Sequence, residues 1–232
     1  MSGGTAAPSI KDARNTGWGG RSAPVQQQPR ENAMMKTLLT GLTIGLALAA
    51  APARAADVVR YRGTIESVDG STVTIKPRMG ETKTVTFGDD TKILAASTGK
   101  LSDIKSESYI GTAAIPQPDG TQKALQVTVF ASSLRGTADG HYPWDLGSNS
   151  TMTNGAIGSL SGTEGRTMLV KYQGGEKKVL VPEDVPVTLV NPGEKSIVVP
   201  GAKVVAFTKA GPDGKLNAAV LIVGRNGTVP SM

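Results

Sequence analysis

Residues 63–75 read Gly-Thr-Ile-Glu-Ser-Val-Asp-Gly-Ser-Thr-Val-Thr-Ile. Val73 and Ile75 alternate with Thr72, Thr74 and Lys76, the period of two that a half-buried strand requires, and Asp69-Gly70 supplies a tight turn before them. The opening returns as Gly155-Ala-Ile-Gly-Ser-Leu, an offset of 92. Beyond it the offset settles at 94: Val85 with Val179, Ile93 with Val187, Ile104 with Val198 and Ile110 with Val204. Pro118-Asp119-Gly120 then matches Pro212-Asp213-Gly214, and Ala124 to Val129 matches Ala218 to Val223. A constant offset through strands and turns together marks a duplicated module.

Working outward, strand-like stretches rich in Val, Thr and Ile occupy 58–67, 72–77, 82–87, 91–95, 109–115 and 122–130, and the only helical hint is one turn at Leu101–Lys105. Five or six short strands in roughly 70 residues cannot bury their apolar faces as a flat sheet with two open edges, so closure is expected. The predicted fold is all-β, two tandem small antiparallel barrels of five to six strands each. The oligonucleotide/oligosaccharide-binding (OB) type is preferred, and other small six-stranded barrels stay open because strand order is not visible in sequence. Module 1 is placed at 56–130, an intermodule loop at 131–152 and module 2 at 153–232.

Residues 34–55 read as a secretory signal: Met34-Met35-Lys36, an apolar run from Thr37 to Ala51, and a small-x-small site at Ala53-Arg54-Ala55. The apolar run is shorter than the about 20 residues a bilayer span takes, so cleavage before Ala56 is preferred to a membrane anchor. Residues 1–33, rich in Gly, Gln, Ser and Pro without apolar periodicity, read as a disordered extension or a mis-assigned start. The expected location is periplasmic or secreted, with no stable membrane span after signal cleavage.

The formal charge of +6 belongs mostly to this leader: residues 56–232 keep 19 basic and 17 acidic side chains. A field strong enough to gather nucleic acid is not indicated, and no nucleic-acid partner is expected. The chain has no cysteine, which removes disulfides, thiolate metal sites and cysteine nucleophiles together.

The pattern Gly-x-Ile-x-x-Val-Asp-Gly-x-Thr-Val-Thr-Ile from Gly63, followed by Thr91-Lys92-Ile93, Leu101-Ser102-Asp103-Ile104-Lys105 and a hairpin from Asp119-Gly120 to Ala124, resembles bacterial exported proteins built on the DUF5666 domain. The resemblance covers 60–130 closely and 153–224 less strictly, and its motifs are mainly turn and strand residues. Proteins sharing the middle segment often carry the description of a metal transporter permease. This sequence contradicts it, because a permease needs several spans.

The segment 131–152 differs from its surroundings and holds the only histidine, His141, with Trp144, Tyr142, Arg135, Asp139 and Asp145. A connection this long is more than a linker requires. It reads either as a recognition loop, with Trp144 and Tyr142 offering stacking area and Arg135, Asp139, His141 and Asp145 directional contacts, or as a structural wedge in which Trp144 fills the groove between barrels and Arg135 pairs with Asp139 or Asp145. Arg135-Gly136 and Trp144-Asp145 match a segment recurring in the DUF5666 proteins, whereas Tyr142 stands where that family implies a basic residue.

The expected function is thus a non-enzymatic binding or interaction protein, its partner an unknown envelope protein, glycan or small ligand, with no cofactor and no metal site assigned. Two alternatives remain: copper or silver handling through His141 and Met152, and a hydrolase with an atypical site. No Gly-x-Ser-x-Gly elbow exists after the leader, and Ser159 and Ser161 read as turn residues. Asp89-Asp90 reads as a turn, Phe87 and Phe207 as core, and Lys177, Lys178 and Lys203 as solvated strand faces.

Overall fold

The first copy of the duplication supplies β1 (Val59–Asp69), β2 (Thr72–Pro77), β3 (Lys83–Thr86), β4 (Lys92–Thr98), β5 (Tyr109–Pro116) and β6 (Gln122–Phe130). A short β7 (Gly140–Pro143) follows, and then β8 (Thr151–Ser161), β9 (Thr167–Tyr172), β10 (Gly175–Leu180), β11 (Val187–Pro192), β12 (Lys203–Ala210) and β13 (Leu216–Gly224). The computed structural model describes residues 58–162 and 166–231, so the predicted signal peptide at 34–55 and the extension at 1–33 lie outside the described residues. Among the described residues there is no α-helix; the helical hint at Leu101 is a 3-10 turn, Leu101–Asp103.

The alternation read from the sequence decides which side chains go inside. In β2, Val73 and Ile75 are fully buried while Thr72 and Thr74 are only half-buried, and Met168 and Val170 repeat this in β9. Both opening strands carry a bulge at the same place in the motif, between Ile65 and Ser67 in β1 and between Ile157 and Ser159 in β8. The motif's glycine has a steric cause. A Cβ on Gly63 would lie 2.2 Å from the carbonyl oxygen of Lys76, and one on Gly155 would lie 2.3 Å from that of Lys171.

Pairing closes a five-stranded barrel. β1 lies antiparallel between β2 and β12, β2 pairs with β3, and β3 runs parallel to β13, which returns to β12. A second ring repeats the circuit: β8 with β9, β9 with β10, β10 parallel to β6, β6 with β5, and β5 with β8. Each ring takes three strands from one copy and two from the other. The copies therefore do not each close by their own strands, as the tandem arrangement expected, and all the strands join one continuous hydrogen-bonded network.

The exchange is carried by β4 and β11. β4 runs parallel to β13 and antiparallel to β11, and β11 runs parallel to β6. Ala96 stands opposite Val190, its own equivalent at the offset of 94, so a pseudo-twofold axis passes through the middle of this ladder. The apolar core follows the rings. Ile65, Ile75, Val85, Val204, Leu221 and Val223 fill the first; Ile110, Val127, Ile157, Met168, Val170 and Val179 fill the second. A third cluster of Leu94, Ala96, Tyr109, Phe130, Val190 and Ile222 packs around the bridge. Phe87 is core as expected, whereas Phe207 is only partly buried against this third cluster.

Residues 56–131 expressed alone are expected to fold by exchanging halves between two molecules, eluting at twice the monomer mass, or not to fold. Light scattering and circular dichroism read the outcome, and a stably folded monomer would show that one copy closes on itself.

Candidate functional site

The segment 131–150 is a strap laid across the seam of the two rings, and part of it is strand rather than loop. β7 pairs antiparallel with β8 of the second ring, with His141 opposite Thr153 and Tyr142 opposite Met152. Just beyond β7 the strap crosses to the first ring. Arg60 and Arg62 share one face of β1, being two residues apart, and both reach Asp145. Arg62 grips the carboxylate with two nitrogens at 2.7 and 3.1 Å, and Arg60 Nε donates to Oδ2 at 3.1 Å. The Arg60 guanidinium also lies 4.1 Å from the centre of the Trp144 ring. Trp144 is partly buried against the third cluster, and the partners of Asp145 are the two β1 arginines rather than Arg135.

The other strap residues are anchored as well. Arg135 donates to the carbonyl of Glu107 and, among the described residues, forms no ion pair with Asp139 or Asp145. Asp139 accepts from the Gln173 backbone N–H at 2.6 Å and from the Tyr109 hydroxyl at 3.2 Å. Burial and the Asp139 carboxylate together push the Tyr109 hydroxyl well above the ordinary tyrosine range. Asn154 donates to the Tyr142 hydroxyl at 3.0 Å. Arg135 and Asp139 also line a groove of about 350 Å³ with Tyr109, Lys171 and Tyr172. Of the six candidate residues, then, Arg135 and Asp139 meet at this groove, Trp144 and Asp145 meet on β1, and His141 and Tyr142 lie on β7 between them.

His141 illustrates how local register decides chemistry. Its Nδ1 is 2.8 Å from Thr153 Oγ1 and its ring stacks on Tyr172 at 5.9 Å. Thr153 is fully buried, so this hydroxyl is closed to any substrate. Met152 faces the opposite side of the ladder from His141, because neighbouring residues of a strand alternate. The two cannot converge on one metal ion there, and among the described residues no three His, Asp or Glu side chains gather into a metal site.

A larger cavity, about 480 Å³, opens where the two rings, the strap and the chain's final residues meet. Its cations come from the first ring: Arg62 on β1, Lys76 at the end of β2 with Arg78 just beyond it, and Lys203 at the start of β12. Gln126 of β6 and Leu146 of the strap supply other walls, and Val229, Pro230 and Ser231 another. Ser231, the last described residue, is held there: its carbonyl accepts from Thr128 Oγ1 at 2.9 Å and its hydroxyl meets that of Thr188. Among the described residues no acidic side chain lines this cavity. Lys203, expected as a solvated face, is half-buried and donates to Thr64 Oγ1 at 2.8 Å inside it. Sequence reading missed this site because its walls come from β1, β2, β6 and β12, which only the exchange of halves brings together.

Comparison of the chain with protein-family models, with curated proteins and with solved structures returns no match. Its function is therefore argued from this geometry.

Burial would raise the Asp145 carboxyl, but the hydrogen bonds and charges of Arg62, then of Arg60, outweigh it and hold it below its ordinary value. A depressed folded pKa stabilises above the unfolded value and the gain disappears as pH falls through the folded one. Asp145→Asn is expected to lower stability by about 1 kcal/mol in urea unfolding near neutral pH, the scale of a part-exposed ion pair, with a penalty that shrinks as pH is lowered below the ordinary carboxylate range.

Burial, then the nearby Lys177 charge, lowers the pKa of His141 below 6.5. The unfolded chain then binds the proton more readily, so stability falls as pH drops below 6.5 through the folded value. His141 is the sole histidine, so His141→Gln should flatten the melting temperature between pH 7 and pH 5.5. An unchanged slope would remove it as the titrating group.

Proposed function

We propose that this chain is an exported, non-enzymatic binding protein whose ligand seat is the cleft between the rings. The observation that carries the reading is the 480 Å³ cavity itself, within the size range of small-molecule sites, with four cationic side chains and, among the described residues, no acid on its walls. Export rests on the signal-like order of residues 34–55, and among the described residues no helix is long and apolar enough to cross a membrane. A small ligand is favoured over an envelope protein or glycan because the cavity is bounded on several sides by separate chain segments.

Strand order supports the OB-type reading of each ring. Counting β1, β2 and β3 as the first three strands, β12 takes the fourth place and β13 the fifth, with the third and fifth parallel as that barrel has them. The second ring follows with β8, β9, β10, β5 and β6. The reading without a nucleic-acid partner is supported by the near-balanced charge of residues 56–232 and by the burial of Phe87, Tyr109 and Phe130, while Tyr61, Tyr172 and Phe207 are half-buried. The non-enzymatic reading is supported by His141, whose hydroxyl partner is closed off in the interior. Membership of the DUF5666 proteins remains part of this proposal on the motifs at 63–75 and 119–124.

Val229 is half-exposed at the edge of the cavity, so Val229→Trp should fill the cleft without disturbing either core. A thermal-shift screen of neutral sugars, amines and small anions is expected to yield compounds that raise the melting temperature of the wild-type protein and not of this variant. Shifts that survive Val229→Trp unchanged would place binding elsewhere and overturn the proposal.

A further inference from the structure

We infer that the cleft is built for a phosphate monoester, a dianionic oxyanion carried on a small, partly apolar body; this rests on reading the cleft as the ligand seat. Charge balance gives the valence. Of the four lining cations, Arg62 is held by Asp145, and Lys76 stands 3.8 Å from Glu66. Arg78 and Lys203 have no recorded acidic partner among the described residues. Two positive charges therefore face the cavity uncompensated, and two negative charges on one ligand group would neutralise them.

Their placement favours one group over two separated ones. β2 and β12 flank β1, with Gly63 standing between Pro77 and Val204 in register. Arg78 follows Pro77 and lies beside Arg62, whose carbonyl accepts its backbone N–H, while Lys203 pairs with Thr64, so the two cations stand on opposite sides of β1 and two positions apart along it. Strands two apart are separated by about 9 to 10 Å and two positions add about 7 Å along the strand, a diagonal of about 12 Å that two long side chains converging on one oxyanion can span.

Gln126 gives an independent indication. The residue is 5% exposed, lines the cavity from the opposite ring, and its side-chain nitrogen has no hydrogen-bond partner. A buried donor left without a partner is costly to keep; the nitrogen is sealed from solvent as it stands, and a half-turn of the amide would bring it to the cleft wall, where an oxyanion would satisfy it. The same donor gives nothing to a cationic ligand. Pro77, Pro186, Val229 and Val205 supply the apolar contact for the rest of the molecule.

The test is titration calorimetry of the full chain at low salt with phenyl phosphate, set against benzyl alcohol, succinate and inorganic phosphate. Phenyl phosphate should bind, inorganic phosphate more weakly, benzyl alcohol and succinate not measurably. The Arg78→Met/Lys203→Met double variant and Gln126→Leu should each weaken phenyl phosphate at least about tenfold. Gln126→Leu should keep or raise the melting temperature, since the replaced donor had no partner; a lower melting temperature with unchanged affinity would mark it as structural and count against the inference. Vesicles of phosphatidic acid in phosphatidylcholine assign the source: binding lost in the same variants points to a lipid headgroup, and phenyl phosphate binding without vesicle binding points to a soluble ester. A neutral, cationic or dicarboxylate compound held in the cleft, with no phosphate ester bound, overturns this inference and leaves the binding proposal standing. Loss of every ligand sensitive to Val229→Trp overturns both.

Discussion

The antiparallel ladder between β4 and β11 is the constraint on which the rest depends. Thr98 to Leu94 faces Thr188 to Pro192, with the equivalent residues Ala96 and Val190 opposite each other at its centre. An extended strand at this point cannot turn back onto the sheet it has left. The chain is carried from the first ring into the second along β4, and back again along β11. Leu94, Ala95 and Ala96 are all buried in the bridge, so exposing it would cost apolar area as well as backbone hydrogen bonds. Two copies that a tandem arrangement would close separately are thereby bound into one body.

The exchange has a chemical consequence. Side chains far apart in sequence, Arg62 and Lys203 from opposite ends of the described chain and Gln126 from its middle, come to line a single cleft. The strap crosses the same seam. It pairs with β8 on one side and is clamped by Arg60 and Arg62 on the other, so Asp145 both ties the rings together and neutralises one of the cleft's own cations. The wall of the cleft and the hold of the strap therefore share Arg62. The duplication is symmetric in its ladders and bulges, but the strap and the chain's last residues each cover one side only, which leaves the two ends of the molecule chemically unequal.

Strand by strand, the first half of the chain was legible. The stretches read at 72–77 and 122–130 appear with those bounds, because alternation of Val and Ile with Thr and Lys reports burial on one face directly. The helical turn at Leu101 was legible too. The site was not. Trp144 could be singled out as an unusual residue, but nothing local shows that Arg60, more than 80 positions earlier, stacks on it. Lys203 looked like any lysine on a strand face, since the residues that enclose it belong to other strands and the chain's end.

By itself the sequence determined the all-β class, the duplication and the buried face of alternating strands such as β2, because turn residues and a period of two act over a few neighbouring positions. Which halves close together, and so where the charged cleft lies, was decided only in the tertiary structure. Self-closure and exchanged closure use the same strands, the same inward side chains and equivalent ladders. Only the direction taken by β4 distinguishes them, and that direction is set by its pairing with a strand some ninety residues away.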